Sequence, residues 1–341
     1  MLRERRHKNI PIFIPHLGCP HQCVFCDQIA ISGHSPFRTE VVREEISAAL
    51  ATLEPGDEAE IAFFGGSFTA IPRNLMCELL QMAEEAVQGG QVKGIRFSTR
   101  PDAVSEDVLD CLERYSVSAI ELGIQSMNDR VLNLARRGHT AADATDACHR
   151  IRRRGWPLVG QMMVGLPGSS ANDECETARQ LGEMGCTAAR VYPLVVFDGT
   201  ALADEWRAGR YCPPDNTEAA ERCADVLEVL EKNRVTCLRV GLCASETLSS
   251  ARALAGANHP ALGEMAYGVL FLRQMMRLLS GQSVCGKRVS LTVPPARLSQ
   301  AVGQGRCNIK KMCAGTGAAE IRIRTDGNLP DGIVVRLTEI S

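Results

Sequence analysis

The run Gly18-Cys19-Pro20-His21-Gln22-Cys23-Val24-Phe25-Cys26 constrains this chain more than any other stretch. Its three cysteines stand at spacing C-x3-C-x2-C, just after the apolar run Ile10–Ile14. A strand feeding a tight loop would bring three thiolates to one point. Three thiolates are one fewer than a closed structural zinc site or a fully ligated 4Fe–4S cluster uses. The next cysteine, Cys77, lies a helix further on. The pattern suggests a cluster with one iron left open for an outside ligand. Two other readings stand beside it. One is structural zinc, with His16, His21 or His34 as the fourth ligand. The other is plain packing, since free cysteine is commonly buried.

The rest of the chain bears on that choice. It has 341 residues, 45% of them hydrophobic, enough for a large α/β domain with an appendage and too apolar for disorder. Fifteen cysteines are spread along it, an odd number. The N-terminal cations Arg3, Arg5, Arg6 and Lys8 are followed by an apolar run that is short and broken by Pro11 and Pro15, unlike a secretory signal. No apolar stretch reaches the ~20 residues of a membrane span. These features predict a reducing, cytoplasmic setting in which the cysteines remain thiols. The net charge of −2 argues against a broad polyanion-binding surface and leaves room for local basic patches.

After the cysteine loop the pattern alternates strand and helix. Strand-like runs fall at Ile10–Ile14, Glu60–Phe64, Gly94–Ser98, Ala119–Ile124, Leu158–Val164 and Ala189–Val196. Helical stretches fall at Thr39–Leu53, Asn74–Val87, Ser105–Arg114, Thr140–Arg154 and Ser170–Met184. Thr140 with Asp143 and Ser170 with Asp173 have the spacing of capping boxes. The strand runs read as continuously apolar, as parallel strands covered on both faces do. Six βα units predict a partial TIM-type (βα)6 barrel, whose site is built by the loops at the strands' C-terminal ends. Those loops carry Gly65-Gly66-Ser67, Arg100, Gln125 and Gln161 to Gly168. Arg100 either clamps a ligand carboxylate or pairs with Asp102.

Arg136-Arg137 precedes one helix, and Arg150, Arg152, Arg153 and Arg154 end it. Cations at a helix C-terminus are favourable without any ligand. That reading is preferred to a nucleic-acid patch, because aromatic residues for stacking make up only 4% of the chain. Beyond the last run, Pro213-Pro214 precedes a helix at Thr217–Asn233, and Thr236–Gly241 either completes the main domain or opens the next. Residues 1–241 are expected to form the main domain and residues 242–341 a small α/β appendage. The appendage is predicted to have a helix around Pro260–Leu279 and strands at Arg288–Val293, Ala319–Arg324 and Gly332–Leu337. A Gly-rich connection, Val302–Gly317, holds Cys307 and Cys313. With Cys285 these fit no cluster spacing, and buried thiols are the preferred account.

Taken together, these residues resemble the radical S-adenosylmethionine (SAM) superfamily. Its hallmark is C-x3-C-x2-C with an aromatic before the last cysteine, here Phe25, followed by a glycine motif, here Gly65-Gly66-Ser67. A closer likeness is to the Elongator catalytic subunit, a radical SAM and acetyltransferase family acting on wobble uridine of tRNA. It runs through Gly65–Pro72, Thr99–Asp102, Leu122–Ser126, Arg137–Thr140, Leu166-Pro167, Tyr192-Pro193, Gly209–Tyr211 and His259–Ala266. That family spaces its first two cysteines further apart. Its acetyltransferase domain is absent from this sequence, which ends at Ser341, and its acetyl-CoA lysine falls at Glu58. No acetyl-CoA is therefore expected.

The resemblance implies that Cys19, Cys23 and Cys26 hold a 4Fe–4S cluster whose open iron takes the amino and carboxylate groups of SAM. It places Gly65, Gly66 and Ser67 on the SAM amino group, Phe25 beside the adenine, and Ser98 and Gln125 on SAM. It places Arg137 on the carboxylate and Gln161 near the ribose. It implies an electron donor of flavodoxin or ferredoxin type, and RNA, tRNA in particular, as substrate. A small molecule such as a tetrapyrrole-pathway metabolite is the alternative substrate. A non-enzymatic, metal-stabilised binding protein is the alternative of another class.

Overall fold

The apolar runs become strands of one curled sheet. The computed structural model describes residues 7–14, 19, 23–26, 37–54, 56–242, 252–330 and 334–341. The candidate ligands His16, His21 and His34 lie outside the described residues. In chain order the first half contains β1 (His7–Phe13), α1 (Thr39–Leu50), β2 (Glu58–Phe64), α2 (Arg73–Gln88), β3 (Gly94–Thr99), α3 (Glu106–Leu112), β4 (Val117–Gln125), α4 (Asp129–Leu134), α5 (Ala141–Arg153), β5 (Leu158–Val164) and α6 (Ala171–Glu183). The second half contains β6 (Ala188–Pro193), β7 (Val195–Phe197), α7 (Ala201–Arg207), α8 (Asn216–Lys232), β8 (Thr236–Val240), β9 (Ala253–Gly256), α9 (Leu262–Leu279), β10 (Arg288–Val293), α10 (Leu298–Val302), α11 (Cys307–Thr316), β11 (Glu320–Thr325) and β12 (Arg336–Ile340).

The main sheet runs β1-β2-β3-β4-β5-β6-β8, every neighbouring pair parallel. This is the partial TIM-type barrel that the βα alternation predicts, with β8 as a seventh strand completing it. Thr140–Asp143 and Ser170–Asp173 both form full capping boxes, at the starts of α5 and α6. Helix ends differ by a few residues from expectation: α1 stops at Leu50 and α3 covers only Glu106–Leu112. The run Ala189–Val196 splits. Pro193 has no N–H to continue the ladder, and β7 leaves the sheet to pair antiparallel with β9.

One expectation about the strands is overturned. They are not apolar on both faces. Ile61, Phe63, Ile95, Phe97, Ile120 and Leu122 pack with α2 and α3 residues such as Leu79, Leu80, Leu109 and Leu112 in the main core. On alternate positions the same strands carry Glu60, Arg96, Glu121 and Arg190, joined in one ion-pair ladder inside the barrel. Period-two alternation puts these charges on one face.

A second, smaller core lies under the three-stranded sheet β11-β10-β12 and includes Phe271, Met275, Leu291, Met312 and Ile321. Within it, the expected Gly-rich connection at 302–317 is mostly helix α11, and the last strand begins at Arg336 rather than Gly332. Among the described residues no helix is long and apolar enough to cross a membrane.

Candidate active site at the barrel mouth

The described residues of the cysteine loop, 19 and 23–26, lie beside the segments that follow β3 and α4. They are anchored at Val24, whose N–H donates to the Ala135 carbonyl at 3.2 Å and whose carbonyl accepts from Leu202 N–H at 2.8 Å. Beneath it, Val24 packs with Val131, Ala135, Leu166, Leu194 and Leu202, and Phe25 lies against that cluster. Phe25 therefore rests on the loops after β4, β5 and β6.

Two arginines tie the cysteines to the strand ends. Arg100, just after β3, donates from Nη1 to the Cys19 sulfur at 3.3 Å and from Nε to Asp102 at 2.8 Å. The Asp102 pairing is the internal one of its two sequence alternatives. Arg137, after α4, donates from Nη1 to the Cys23 sulfur at 3.2 Å and from Nη2 to the Gly123 carbonyl at 2.6 Å. Arg100 Nη2 in turn donates to the Arg137 carbonyl. Both guanidiniums are buried. Cys26 closes the turn, its N–H on the Cys23 carbonyl at 3.1 Å. Among the described residues no three His, Cys, Asp or Glu side chains are gathered closely enough to hold a metal ion. Cys285 is exposed and Cys307 and Cys313 are half-buried, so the burial expected of these three thiols is not met.

The glycines have structural reasons to be glycine. Gly65 has φ +106°, and a Cβ there would stand 2.7 Å from the Ile14 carbonyl oxygen. Ile14 N–H donates to the Phe64 carbonyl at 2.7 Å, so the end of β1 is clasped against this turn. Ser67 follows, buried, and Thr69 bridges to Thr99 at 2.5 Å and to the Ala103 carbonyl at 2.6 Å. The glycine turn is thereby fastened to the turn after β3. Gly123 is less tightly confined: a Cβ would meet Gln125 Nε2 at 3.2 Å, the Thr99 carbonyl oxygen at 3.3 Å and Arg137 Nη2 at 3.4 Å.

Gln125 ends β4 in a left-handed conformation, φ 69°, which is uncommon for a residue other than glycine. Its Oε1 is buried with no hydrogen-bond partner, and so is Arg137 Nε. Two orphaned polar atoms in one small region call for a missing partner. His139, also buried, donates from Nε2 to the Ile124 carbonyl at 3.3 Å, with Nδ1 unpartnered. Burial, then the Arg137 and Arg100 charges, lower its pKa to about 4.

Ser98 and Gln161 lie together one step deeper in the barrel. Gln161 Nε2 donates to Ser98 Oγ at 3.1 Å and to Glu121 Oε2 at 2.9 Å. Glu121 is fully buried, and its carboxylate is held in a bidentate fork by Arg190 at 2.7 and 3.0 Å and by Arg96 at 3.0 Å. Sequence reading passed over Glu60, Arg96, Glu121 and Arg190. The signal was available as charges at every second position of strands otherwise rich in Ile, Phe and Val.

The second arginine cluster is occupied by acidic neighbours. Arg154 pairs with Glu106 at 2.6 Å, with Glu113 at 2.9 Å and with Asp110, and Arg153 pairs with Glu106 at 2.7 Å. Arg150 Nε donates to the Val104 carbonyl at 3.1 Å. This favours the capped, ion-paired helix end over the nucleic-acid patch.

A parallel partial barrel with a three-cysteine loop at its mouth defines a recognisable class. The radical SAM superfamily model matches residues 13–181, and a radical SAM C-terminal domain model follows at 186–269. The chain belongs to the radical SAM superfamily, and with that membership it is an enzyme. The non-enzymatic alternative is set aside. Within the superfamily it is similar to a tRNA uridine(34) acetyltransferase of Dehalococcoides mccartyi, 24% identical over 64% of this chain and 55% of that protein. It is also similar to an uncharacterized protein of Methanocaldococcus jannaschii, 29% identical over 65% of this chain and 71% of that one. Among solved structures, the archaeal Methanocaldococcus infernus Elp3 with an N-terminal deletion superposes with TM-score 0.61 at 20% identity, over 80% of this chain and 63% of that one. The chain spans little more than half the length of the acetyltransferase it matches.

Proposed function

We propose that this chain holds a 4Fe–4S cluster on Cys19, Cys23 and Cys26, binds SAM on the surrounding loops, and modifies RNA, with tRNA the favoured substrate. The observation that carries the reading is the seating of Cys19 and Cys23 on the buried Arg100 and Arg137 at the strand ends. A cluster with SAM fits the residues present. The donors are three thiols, Gly65 has no room for a side chain, and Gln125 Oε1 and Arg137 Nε are buried without partners.

When bound, the reduced cluster supplies the electron that cleaves SAM to methionine and a 5′-deoxyadenosyl radical, which takes a hydrogen atom from substrate. The chain's own residues bind, orient and exclude water. Gly65, Gly66 and Ser67 present backbone to the SAM amino group. Arg137 offers charge to its carboxylate. Phe25 lines the adenine side, and Ser98, Gln125 and Gln161 supply polar contacts. On this reading residues 1–241 carry the chemistry and 242–341 are an appendage. The donor of the electron is a flavodoxin- or ferredoxin-like protein, and the setting is the cytoplasm.

RNA is favoured because matched relatives bear the name tRNA uridine(34) acetyltransferase. A small polar metabolite is the second reading, favoured by the charged ladder Arg96–Glu121–Arg190 inside the barrel. The test is 5′-deoxyadenosine formation by reconstituted protein with total tRNA or with small-molecule extracts added. Stimulation by tRNA above the uncoupled rate is the expected result. Stimulation by the small-molecule pool alone contradicts the RNA assignment.

A further inference from the structure

Charge is unevenly divided along this chain. Residues 284–341 hold nine Lys and Arg against four Asp and Glu, a net +5, while the whole chain is −2. The remainder is therefore at −7. Such asymmetry is a sequence mark of a nucleic-acid-binding segment.

The fold gathers the positive charge on one feature. β10, α10, α11 and β11 form a β-α-α-β unit with β10 and β11 parallel and adjacent. The two helices are joined by Gly303-Gln304-Gly305-Arg306, all at positive φ except Gln304. Gly303 has no room for a side chain: a Cβ would meet Cys307 Sγ at 2.6 Å and Asn308 Cγ at 3.0 Å. The buried Asn308 amide donates to the carbonyls of Gly268 at 2.8 Å, Ala301 at 3.1 Å and Gln300 at 3.2 Å. The loop is thus pinned from below, while Gln304, Gly305 and Arg306 are exposed.

The cations stand where the helix alone does not want them. α11 has no acidic residue in its first turn and no side-chain cap on its N-terminus. The helix dipole disfavours positive charge there. Yet Arg306, Lys310 and Lys311 are exposed in that half of the helix, with Arg306 in electrostatic reach of Glu320 on β11. Beside them, β11 is an edge strand, paired only with β10, with Arg322, which pairs with Glu320 at 2.7 Å, and Arg324 exposed. Ile309 on α11 and Ile323 on β11 remain partly exposed above the small core, an apolar floor for bases.

We propose that this unit binds single-stranded RNA, gripping the phosphate backbone with the 303–306 loop and the Arg306–Lys310–Lys311 cations and seating bases toward β11. A G-x-x-G loop between two helices is how KH modules clamp the nucleotide backbone. Here Arg306 occupies the last position in the left-handed conformation that a glycine would take, adding a charge to the clamp. The choice of RNA over DNA rests on the tRNA reading above; the surface itself does not.

The test is fluorescence anisotropy with the full chain and a short unstructured RNA, over a range of potassium chloride. The comparison protein is Arg306→Glu/Lys310→Glu/Lys311→Glu, with Lys310→Ala/Lys311→Ala as a milder variant and thermal melts to confirm folding. The intact chain should bind, and the triple variant should lose about tenfold or more, with the log–log salt slope shallower by about 2. Four results would overturn the proposal: no binding by the intact chain, unchanged binding by both variants, equal binding of duplex RNA or single-stranded DNA, or displacement by polyglutamate as effective as by RNA. Binding needs neither cluster nor SAM, so its failure and a failure of the radical SAM reading are separable.

Discussion

Arg137 holds the Cys23 sulfur and the Gly123 carbonyl with the two ends of one guanidinium, at 3.2 and 2.6 Å. It therefore fixes Cys23 to the end of β4 while its buried Nε has no hydrogen-bond partner. Arg137→Lys keeps the charge but loses the planar fork. It should cost about 1–3 kcal/mol of stability in urea unfolding and lower the iron retained on reconstitution. Unchanged iron and stability would mean that the fork positions nothing.

Glu121 balances two arginines from within the barrel. Glu121→Ala removes the shared partner of Arg96 and Arg190, leaving Glu60 as the carboxylate on Arg96, at a cost of about 3 kcal/mol. Glu121→Gln, which can still accept from Gln161 and Arg190, should cost clearly less. Chemical denaturation of the two variants provides the comparison, and equal losses would contradict the ladder's role.

His139 makes stability depend on acid. Its pKa in the fold is about 4, against an ordinary 6.5. Burial is the main cause and the Arg137 and Arg100 charges add to it, with Asp102 and the Ile124 carbonyl opposing. Between those two values the unfolded chain binds the proton and the folded chain does not. Stability is therefore lost as pH falls from 6.5 toward 4, by up to about 3 kcal/mol, and this contribution levels off below. His139→Gln should flatten that part of the stability profile relative to the parent chain. A parallel profile would contradict the assignment.

Gly65→Ala must either move the Ile14 carbonyl or distort a backbone already at φ +106°. The expected loss is about 1–3 kcal/mol, with weakened SAM binding measured by equilibrium dialysis on reconstituted protein. A variant that melts and binds as the parent does would show that the clasp between β1 and the glycine turn is dispensable.

The sequence made the barrel legible because each βα unit carries its own local signals. Apolar runs, Thr140–Asp143 and Ser170–Asp173 place strands and helix starts without help from tertiary contacts. The glycine turn was legible as a strand-end loop because Gly65 and Gly66 directly follow the apolar run of β2. The ladder of Glu60, Arg96, Glu121 and Arg190 was not, because each charge is isolated in its own strand and acquires a partner only through the sheet. The engagement of Arg100 and Arg137 with the cysteines joins residues 81 and 114 positions apart, which local pattern cannot reach. The glycines at 303 and 305 suggested an irregular connection; they form a tight turn between two helices, and the following residues take up a regular helix.

The most direct test of the central claim uses anaerobically reconstituted protein beside Cys19→Ala/Cys23→Ala/Cys26→Ala. Iron and sulfide are counted, then dithionite and SAM are added and 5′-deoxyadenosine is assayed. The account predicts four irons and four sulfides per chain and 5′-deoxyadenosine that the triple variant does not make. Bound zinc, or a cluster that leaves SAM intact, would contradict it.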